Sequence, residues 1–452
     1  MPPTTKPDSV NLIEAMKWWF KLGFISFGGP AGQISMMHQE LVERRRWISE
    51  NRFLHALNYT MVLPGPEAQQ LATYMGWLMH GVKGGLIAGG LFVLPSLFIL
   101  IALTWIYLEY GNTQIVAGVL YGVKPAVTAI VLFAAYRIGS RALKNNVLRA
   151  MALLAFIAIF YFHVPFPLIV IGAGILGFIG SKIAPDYFNA ELHKTETHDS
   201  YGPALIDDDS PVPSYAMFSW PRLIAFLVVG VGIGVTVFAA LYFKYGWDNP
   251  LTQMGVFFTK AALVTFGGAY AVLPYVYQGG VDQFGWLTGT QMIDGLALGE
   301  TTPGPLIMVV TFVGFVGGWT KEIFGPEMLP LAGIVAACVV TFFTFLPSFL
   351  FIFLGGPAIE ATRGDLHFTA PLLGITAAVV GVIINLAIFF AYHVLWPKGF
   401  DGLEELISKI DWVSLVIGIF AFIMLFKYKI DIVKVIISCA LLGWFLSVIG
   451  FT

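Results

Sequence analysis

Charged side chains are scarce in this sequence. Asp, Glu, Lys and Arg make up 12% of its 452 residues, about half of the roughly 25% typical of soluble globular domains. Hydrophobic residues make up 57%. So few charges cannot cover a soluble body of this size, and the apolar stretches recur at close to the roughly 20 residues that span a bilayer as a helix. The composition argues against an ordinary cytosolic enzyme and predicts an all-α polytopic membrane protein.

Other features are also missing. The formal net charge is −2, so there is no basic field of the kind that attracts nucleic acid. The 8 histidines show no compact ligand spacing, which supports neither a metal site nor a cofactor. The two cysteines, Cys338 and Cys439, lie in apolar segments and are expected to act as small hydrophobic residues. The N-terminus lacks a signal-peptide pattern, so insertion should depend on internal spans.

The apolar runs predict about 13 spans, divided by a polar segment. The first six lie near 11–27, 52–80, 85–109, 113–136, 148–163 and 165–181, and the last six begin near 250, 290, 328, 368, 411 and 432. We therefore predict a first repeat at 11–181, a polar and solvated linker at 182–219, a connecting transmembrane helix at 220–243 and a second repeat at 250–450.

An internal repeat relates the two halves. Residues Lys21, Phe27, Gly28, Gly29, Trp47, Pro64, Gly65 and Pro66 recur 239 positions later as Lys260, Phe266, Gly267, Gly268, Trp286, Pro303, Gly304 and Pro305. Farther along, Pro95, Ser96, Gly122, Ala126 and Val127 recur 252 positions later as Pro347, Ser348, Gly374, Ala378 and Val379. An insertion near 321–330 accounts for the change of offset. Constant offsets of this kind indicate duplicated structural units.

The number of spans predicts how the repeats are oriented. Seven predicted spans precede the second repeat, and an odd number makes the two repeats inverted in the membrane. This inference requires 52–80 and 290–318 to cross once each, because re-entrant segments would change the count. The Lys and Arg distribution weakly favours a cytoplasmic N-terminus and linker, although Arg44, Arg45 and Arg46 argue for the opposite orientation.

Two Pro-Gly-Pro segments interrupt apolar helices at matching places. They lie within YTMVLPGPEAQQLATY, 59–74, and LGETTPGPLIMVV, 298–310. Proline removes a backbone donor and clashes with the preceding turn, so each segment should split its helix and expose N–H groups. Broken backbone at membrane depth is tolerated where it lines a cavity or is buried in protein, and paired breaks indicate a transport site. The alternative is a pair of proline kinks used only for packing.

Phe-Gly-Gly ends the first helix of each repeat, in SFGGP at 26–30 and TFGGA at 265–269. The glycines could form an anion-binding nest or simply terminate the helices, and the motif alone leaves both open. Lys21 and Lys260 precede these motifs, and an intramembrane lysine should face a partner or an aqueous path. Snorkelling is the alternative, stronger for Lys21 than for Lys260.

Carboxylates and uncharged polar groups flank the breaks. Glu67 and Glu300 could cap a half-helix, pair with a lysine or carry a coupled proton. The candidate substrate-binding set is Lys21, Ser26, Gly28, Gly29, Pro64, Gly65, Pro66, Gln69, Gln70, Lys260, Thr265, Gly267, Gly268, Thr301, Thr302, Pro303, Gly304 and Pro305. We predict no catalytic or metal-binding residues.

At these residues the sequence resembles the chromate ion transporter (CHR) family. The resemblance rests on SFGGPAGQI, Trp47, LPGPEAQQLATYMGW and FVLPS in the first half, and on TFGGAYAVLP, Trp286, TTPGP and FLPS in the second. It implies a two-domain plasma-membrane protein that exports chromate, with its halves in opposite orientations. Ala269 stands where Pro30 has its repeat partner, and Leu306 stands opposite Glu67, so any role of Pro30 or Glu67 is asymmetric.

The chemistry leaves two alternatives open. Chromate is mainly a tetrahedral dianion at neutral pH, for which helix N-termini and lysines are suitable partners. Sulfate would fit almost as well. A polytopic enzyme acting on lipid substrates is the other alternative, but we find no cluster of acid–base, nucleophilic or metal-binding residues for it. The lipid bilayer is the expected environment, nucleic acid is not an expected partner, and a homodimer is left open.

Overall fold

The protein is an all-α bundle. The computed structural model describes residues 5–27, 29–111, 113–188, 201–211, 213–266, 268–361, 369–400 and 402–450. Within these ranges no strand is formed, apart from one isolated bridge between Ile48 and Ile206. Gly28 and Gly267, two of the predicted site residues, lie outside the described residues.

The first half contains nine α-helices in its described residues. They are α1 (Leu12–Ile25), α2 (Gly29–His38), α3 (Glu50–Thr60), α4 (Glu67–Tyr110), α5 (Gln114–Ala142), α6 (Asn146–Phe160), α7 (Phe166–Ile183), α8 (Pro185–Phe188) and α9 (Trp220–Tyr245). A π-helical segment, Gln39–Arg44, continues α2.

The second half contains nine more helices in the part of the chain that the structure describes. They are α10 (Pro250–Leu263), α11 (Ala269–Tyr277), α12 (Gly289–Thr301), α13 (Val309–Thr320), α14 (Leu329–Ala361), α15 (Thr369–Leu395), α16 (Leu403–Ser408), α17 (Trp412–Phe426) and α18 (Ile432–Val448). A π-helical segment, Gln278–Gln283, follows α11, and the short 3-10 helices Leu306–Met308 and Pro326–Met328 precede α13 and α14.

The first two helices form a re-entrant hairpin. Glu14, in the first turn of α1, pairs with Arg45, just after the π-helical continuation of α2, at 3.0 Å. Because the start of α1 and the end of α2 lie together, the chain enters the bundle, breaks between Ser26 and Gly29 and returns to the same side. We call this side, which carries residues 5–14, the N face, and the opposite side the far face.

A second re-entrant hairpin follows, made of α3 and the first part of α4. The backbone of α4 departs from helical dihedral angles at His80 and Gly81, so we divide the helix into an inner arm, 67–79, and a crossing arm, 82–110. The His80 ring lies 2.9 Å from the carbonyl oxygen of Val10, which brings the inner arm back to the N face. The Pro-Gly-Pro segment is therefore the tip of a hairpin.

Glycines allow the two arms of α4 to pack against each other. Gly81 has φ of 64°, a left-handed conformation that glycine adopts without penalty. A Cβ on Gly76 would lie 2.4 Å from the carbonyl oxygen of Gly84, so a larger residue would separate the arms. The crossing arm then leaves the N face and runs to the far face.

The second repeat has the same two hairpins, entering from the far face. Arg222, in the first turn of α9, donates to the carbonyl of Tyr215 at 2.7 Å, and Tyr215 donates to the Leu78 carbonyl of the N face at 2.8 Å. Helix α9 ends at Tyr245, on the far face. Thr320, at the end of α13, donates to the Trp286 carbonyl before α12 at 2.9 Å, so α12 and α13 also begin and end on one face.

These hairpins correct the predicted span count. Six described helices are long and apolar enough to cross a membrane, and α6, α17 and α18 are shorter apolar helices. The prediction of about 13 spans is therefore not confirmed, since the segments at 11–27 and 52–80, and those beginning near 250 and 290, turn back. The hairpins leave the predicted inversion in place, because two re-entrant hairpins in the first repeat keep the number of preceding spans odd.

The remaining helices form a scaffold of close helix contacts. Helices α5 and α18 approach through small residues: a Cβ on Gly122 would lie 2.0 Å from the carbonyl oxygen of Cys439. Small residues at interfaces are typical of membrane helix packing. Helix α9 has no buried residue, and it packs on the outside of α10 and α14.

The described part of the predicted linker is attached to the first repeat. The bridge between Ile206 and Ile48 brings it against the loop before α3. Ser49 donates to Asp208 at 2.6 Å, and Arg52 donates to the Ser210 carbonyl at 2.6 Å. The polar composition predicts solvation, but these residues use their polar groups to bind the N face. Residues 189–200 lie outside the described residues.

Candidate functional site at the hairpin tips

The four hairpin tips meet through two backbone hydrogen bonds between the repeats. The Gly65 N–H donates to the Thr265 carbonyl at 2.7 Å, and the Gly304 N–H donates to the Ser26 carbonyl at 3.0 Å. Gly65 and Gly304 are repeat partners, as are Ser26 and Thr265, so the two bonds are symmetry equivalents. The structure therefore brings together the Pro-Gly-Pro and Phe-Gly-Gly segments that the sequence singles out.

Glycine is required at both junctions. Gly65 has φ of 128° and Gly304 has φ of 106°, which strain any residue that carries a Cβ. A Cβ would also lie 2.6 Å from the Ser348 hydroxyl at Gly65, and 2.8 Å from the Ser96 Cβ at Gly304. The Gly65 tip is thus pressed against α14, and the Gly304 tip against the crossing arm of α4. We call these two segments the crossing helices of the second and first repeats. The flanking prolines end and restart the helices; they are Pro64, Pro66, Pro303 and Pro305.

Glutamine side chains hold the carbonyl groups at the tips. The Gln33 amide nitrogen donates to the Gly304 carbonyl at 2.6 Å and to the Ser26 carbonyl at 3.2 Å. Gln70 donates to the Pro64 carbonyl at 2.7 Å, and Gln69 donates to the Thr73 hydroxyl at 3.0 Å. The negative ends of the incoming helices are therefore largely satisfied by protein donors.

Four helices have their N-termini at the hairpin tips. These are α2, α4, α11 and the short helix before α13. First-turn N–H groups have no acceptor within their own helix, and the macrodipole makes this end positive. Since several nearby carbonyls already have partners, the first-turn N–H groups remain available to a negatively charged group. Such an arrangement is suited to anion binding.

Several buried polar atoms at the tips have no hydrogen-bond partner among the described residues. They are the hydroxyls of Ser26 and Ser348 and the amide oxygens of Gln33, Gln69 and Gln70. Buried polar groups are normally satisfied, so these atoms are able to form hydrogen bonds with a polar solute. The three amide oxygens are acceptors, whereas the two serine hydroxyls can also donate.

The two predicted carboxylates lie beside the tips. Glu67, half-buried, is the first residue of α4, and its carboxylate lies 3.9 Å from where a Cβ on Gly268 would be. Glu300 is buried and accepts a hydrogen bond from the Tyr270 hydroxyl of α11. Arg137 of α5 is close enough to Glu300 to interact with it electrostatically. Glu67 of the first repeat therefore adjoins the second, and Glu300 of the second repeat lies near α5 of the first.

The predicted threonines use their hydroxyl protons within helices. Thr302 donates to the Leu298 carbonyl at 2.6 Å and Thr265 donates to the Ala261 carbonyl at 2.6 Å. Thr301 likewise contacts the Ala297 carbonyl at 3.2 Å. Their hydroxyl oxygens can still accept a hydrogen bond, but these three side chains do not offer free donors to an anion.

The predicted lysines lie apart from this hydrogen-bonding network. Lys21 on α1 and Lys260 on α10 are exposed, whereas Ser26 and Thr265, just beyond the ends of the same helices, are fully buried. Within the described residues neither lysine forms a hydrogen bond or an ion pair with a tip residue. The turns from which α2 and α11 leave are marked by positive φ, 70° at Gly29 and 94° at Gly268.

Sequence reasoning missed three contributors to the site, namely Gln33, Ser96 and Ser348. The serines recur at the constant 252 offset, so the repeat itself signals them. Gln33 has an apolar repeat partner, Val272, and no periodicity distinguishes it. Its role depends on a contact between residues of different repeats, which the sequence does not reveal.

Inverted repeats, broken helices and polar tips buried at the centre of an apolar bundle define a polytopic membrane transporter. The chain belongs to the family described as Chromate transporter, which matches residues 13–178 and 252–444. The two matched ranges cover most of the two repeats and leave out the whole of the linker and α9.

Relatives extend over most of this chain. The chromate transport protein of Pseudomonas aeruginosa is 32% identical over 445 residues, covering 97% of this chain and 93% of the relative. That of Cupriavidus metallidurans is 28% identical over 401 residues, covering 86% of each. The uncharacterized transporter YwrA of Bacillus subtilis is 31% identical over 126 residues, covering 28% of this chain and 71% of the relative. No solved structure gives a significant match.

Proposed function

We propose that the protein exports chromate from the cell by alternating access, and that it binds the dianion at the four hairpin tips. The observation that supports this most directly is the paired junction of Gly65 with Thr265 and Gly304 with Ser26. Four helix N-termini surround this junction, together with five polar atoms that have no hydrogen-bond partner within the described part of the chain. Relatives that are named chromate transport proteins support chromate as the substrate.

The substrate's charge matches the donors that the tips offer. A tetrahedral dianion accepts hydrogen bonds on all its oxygens, and helix N-termini supply donors with fixed positive potential. The hydroxyls of Ser26 and Ser348 would add neutral donors. In this proposal Lys21 and Lys260 act at longer range, and draw the anion toward the hairpins from the exposed sides of α1 and α10.

The arrangement of the hairpins supports alternating access. The first repeat's hairpins enter from the N face and the second repeat's from the far face, yet all four tips share one junction. The four residues that make the junction bonds are buried, so binding and release each require one set of hairpins to move relative to the other. We place the N face and the linker in the cytoplasm of a cell whose plasma membrane holds the protein.

The membrane potential favours outward movement of the substrate. With an interior negative by about 100 mV, each outward-moving negative charge gains roughly 2.3 kcal/mol, so a dianion gains about 4.6 kcal/mol. This energy sustains a gradient on the order of a thousandfold. Export therefore needs no other driving force, while Glu67 and Glu300 remain candidates for residues that exchange a proton during the cycle.

Everted membrane vesicles test the proposed function. Labelled chromate should accumulate in vesicles that contain the protein, faster when the lumen is made positive, and vesicles without the protein supply the background. Excess unlabelled sulfate distinguishes the two dianions: chromate selectivity predicts that it competes weakly. Accumulation no faster than background would refute transport. Faster accumulation of sulfate than of chromate would identify sulfate as the substrate instead.

A further inference from the structure

Another buried acid lies on α12, between the tips and the far face. Asp294 is 2% exposed. One carboxylate oxygen accepts a hydrogen bond from the Tyr107 hydroxyl of α4 at 2.9 Å. The other lies 3.5 Å from the Lys124 amine of α5 and has no hydrogen-bond partner among the described residues.

The carboxylate of Asp294 is weakly paired for a buried charge. Charge-assisted N–H···O bonds are about 2.7–2.9 Å long, and the contact with Lys124 is longer. An acid at membrane depth is costly unless it is paired or neutralised by a proton. The side chain of Lys124 is 27% exposed, whereas that of Asp294 is 3% exposed. The lysine therefore reaches the protein surface and the acid does not.

The groups that face Asp294 are few. Helix α12 packs against α4, α5, α13, α15 and α18. Among the described residues of these helices, the titratable groups that interact with the Asp294 carboxylate are Tyr107 and Lys124. His393 of α15 lies beside the first residue of α12, where its ring is 3.6 Å from the position of a Cβ on Gly289.

Asp294 occupies a junction between the repeats. Its repeat partner is His55, and Tyr107 is the partner of Ile359. On the N face the His55 ring contacts the Ile359 carbonyl at 3.0 Å. The contact of His55 with Ile359 is therefore the repeat equivalent of the contact of Asp294 with Tyr107. Each joins a hairpin of one repeat to the crossing helix of the other. Any motion that opens the far face between α12 and α4 would change the surroundings of Asp294.

We propose that Asp294 binds a proton from water on the far-face side and releases it during each transport cycle, while Tyr107 orients the carboxylate and the Lys124 amine lies beside its second oxygen. This inference rests on the proposed transport function. When α12 and Lys124 are together, the carboxylate is ionised. When they separate inside the bundle, the carboxylate takes up a proton instead of remaining an unpaired buried charge.

Flux measurements in proteoliposomes test the proposal. Labelled chromate flux is measured at a fixed potential, with and without an imposed pH gradient, for the wild type and for Asp294→Asn. We expect the gradient to change the wild-type rate at least threefold and to leave the variant's rate unchanged. The matched control is Asp411→Asn. Asp411 accepts a hydrogen bond from a tyrosine hydroxyl of α5, Tyr121, at 2.8 Å, but is half-buried at the start of α17, so its variant should respond like the wild type.

Each outcome has a distinct meaning. A wild-type rate that ignores the pH gradient, or an Asp294→Asn rate that still follows it, overturns the proton-binding role while leaving transport intact. Absence of chromate flux in the wild type under any gradient refutes the proposed function instead. If Asp294→Asn does not fold, Tyr107→Phe retains the acid and serves in its place. Its pH–rate midpoint should shift to higher pH, because loss of the donor favours the protonated carboxyl, and an unshifted midpoint contradicts the proposal.

Discussion

The two repeats share their backbone at the tips but differ in the side chains around it. Gly65 and Gly304 make equivalent hydrogen bonds to the opposite repeat, and each is pressed against an equivalent serine. By contrast, Gln70 corresponds to Val309 and Glu67 corresponds to Leu306. Symmetric geometry thus forms the junction, whereas most of the uncharged and acidic polar groups are contributed unequally.

The two faces differ in a similar way. On the N face, Arg52 lies 3.6 Å from Glu360, which also accepts a hydrogen bond from Tyr74 at 2.5 Å. The linker binds the same Arg52 through Ser210. On the far face, Asp294 has one tyrosine hydrogen bond and a longer contact with Lys124. The N face is therefore held together by more polar contacts, which suggests that the far face separates more readily.

The largest expected effect concerns this N-face network. Arg52→Ala would remove the cation beside the buried Glu360 carboxylate, and both side chains are 4% exposed. Removing one partner of a buried pair costs about 3–5 kcal/mol, so thermal unfolding of the purified protein should occur at a clearly lower temperature. Lys409→Ala removes an exposed pair with Glu405 and should cost no more than about 1 kcal/mol. Equal destabilisation by both variants would contradict the importance of the buried network.

The next effect tests the symmetry of the junction. Gly65→Ala and Gly304→Ala both place a Cβ at a positive φ and within contact distance of the opposite crossing helix. We expect each to lower chromate flux in everted vesicles at least tenfold. Gly90→Ala is the matched control because a Cβ there meets nothing within 4 Å. Normal flux in either tip variant would show that its junction is not needed, and a loss in one repeat only would break the symmetry.

The smallest expected effect concerns the exposed lysines. Lys21→Gln combined with Lys260→Gln should slow chromate flux about threefold to tenfold without preventing membrane insertion. Because attraction at long range is screened by salt, the deficit should shrink as ionic strength rises. Each single variant is the control for the other. Flux equal to the wild type at low salt would remove both lysines from the mechanism, and a deficit independent of salt would indicate direct contact with the substrate.

Sequence reasoning predicts the elements of the tips but not the path of the chain between them. The repeat offset identifies Gly65 with Gly304 because duplicated positions carry the same residue. Whether 52–80 crosses the membrane or turns back has no such signal, because either path buries the same apolar residues. The path is determined by distant contacts, such as Glu14 with Arg45 and the His80 ring with a carbonyl of the N-terminal segment, which hydropathy does not register.

Two further features of the structure could not be predicted from the local sequence pattern. Helical periodicity cannot distinguish an exposed lysine from one that faces an aqueous path, so the exposure of Lys21 and Lys260 required the structure. The polar composition of 201–219 predicts solvation, but Ile206 and Asp208 pair with residues about 160 positions earlier. Asp294 carries a usable signal, an acid within an apolar stretch, but its partners come from other helices.

The reciprocal glycine bonds mean that neither half of the polypeptide can complete its own centre. Each half holds one amide donor and one carbonyl acceptor, and both point to the other half. If the halves were produced as separate chains, they would have to insert with opposite polarity and co-assemble in equal numbers before either bond could form. Fusion into one polypeptide through α9 fixes both the stoichiometry and the relative direction of the two halves during synthesis.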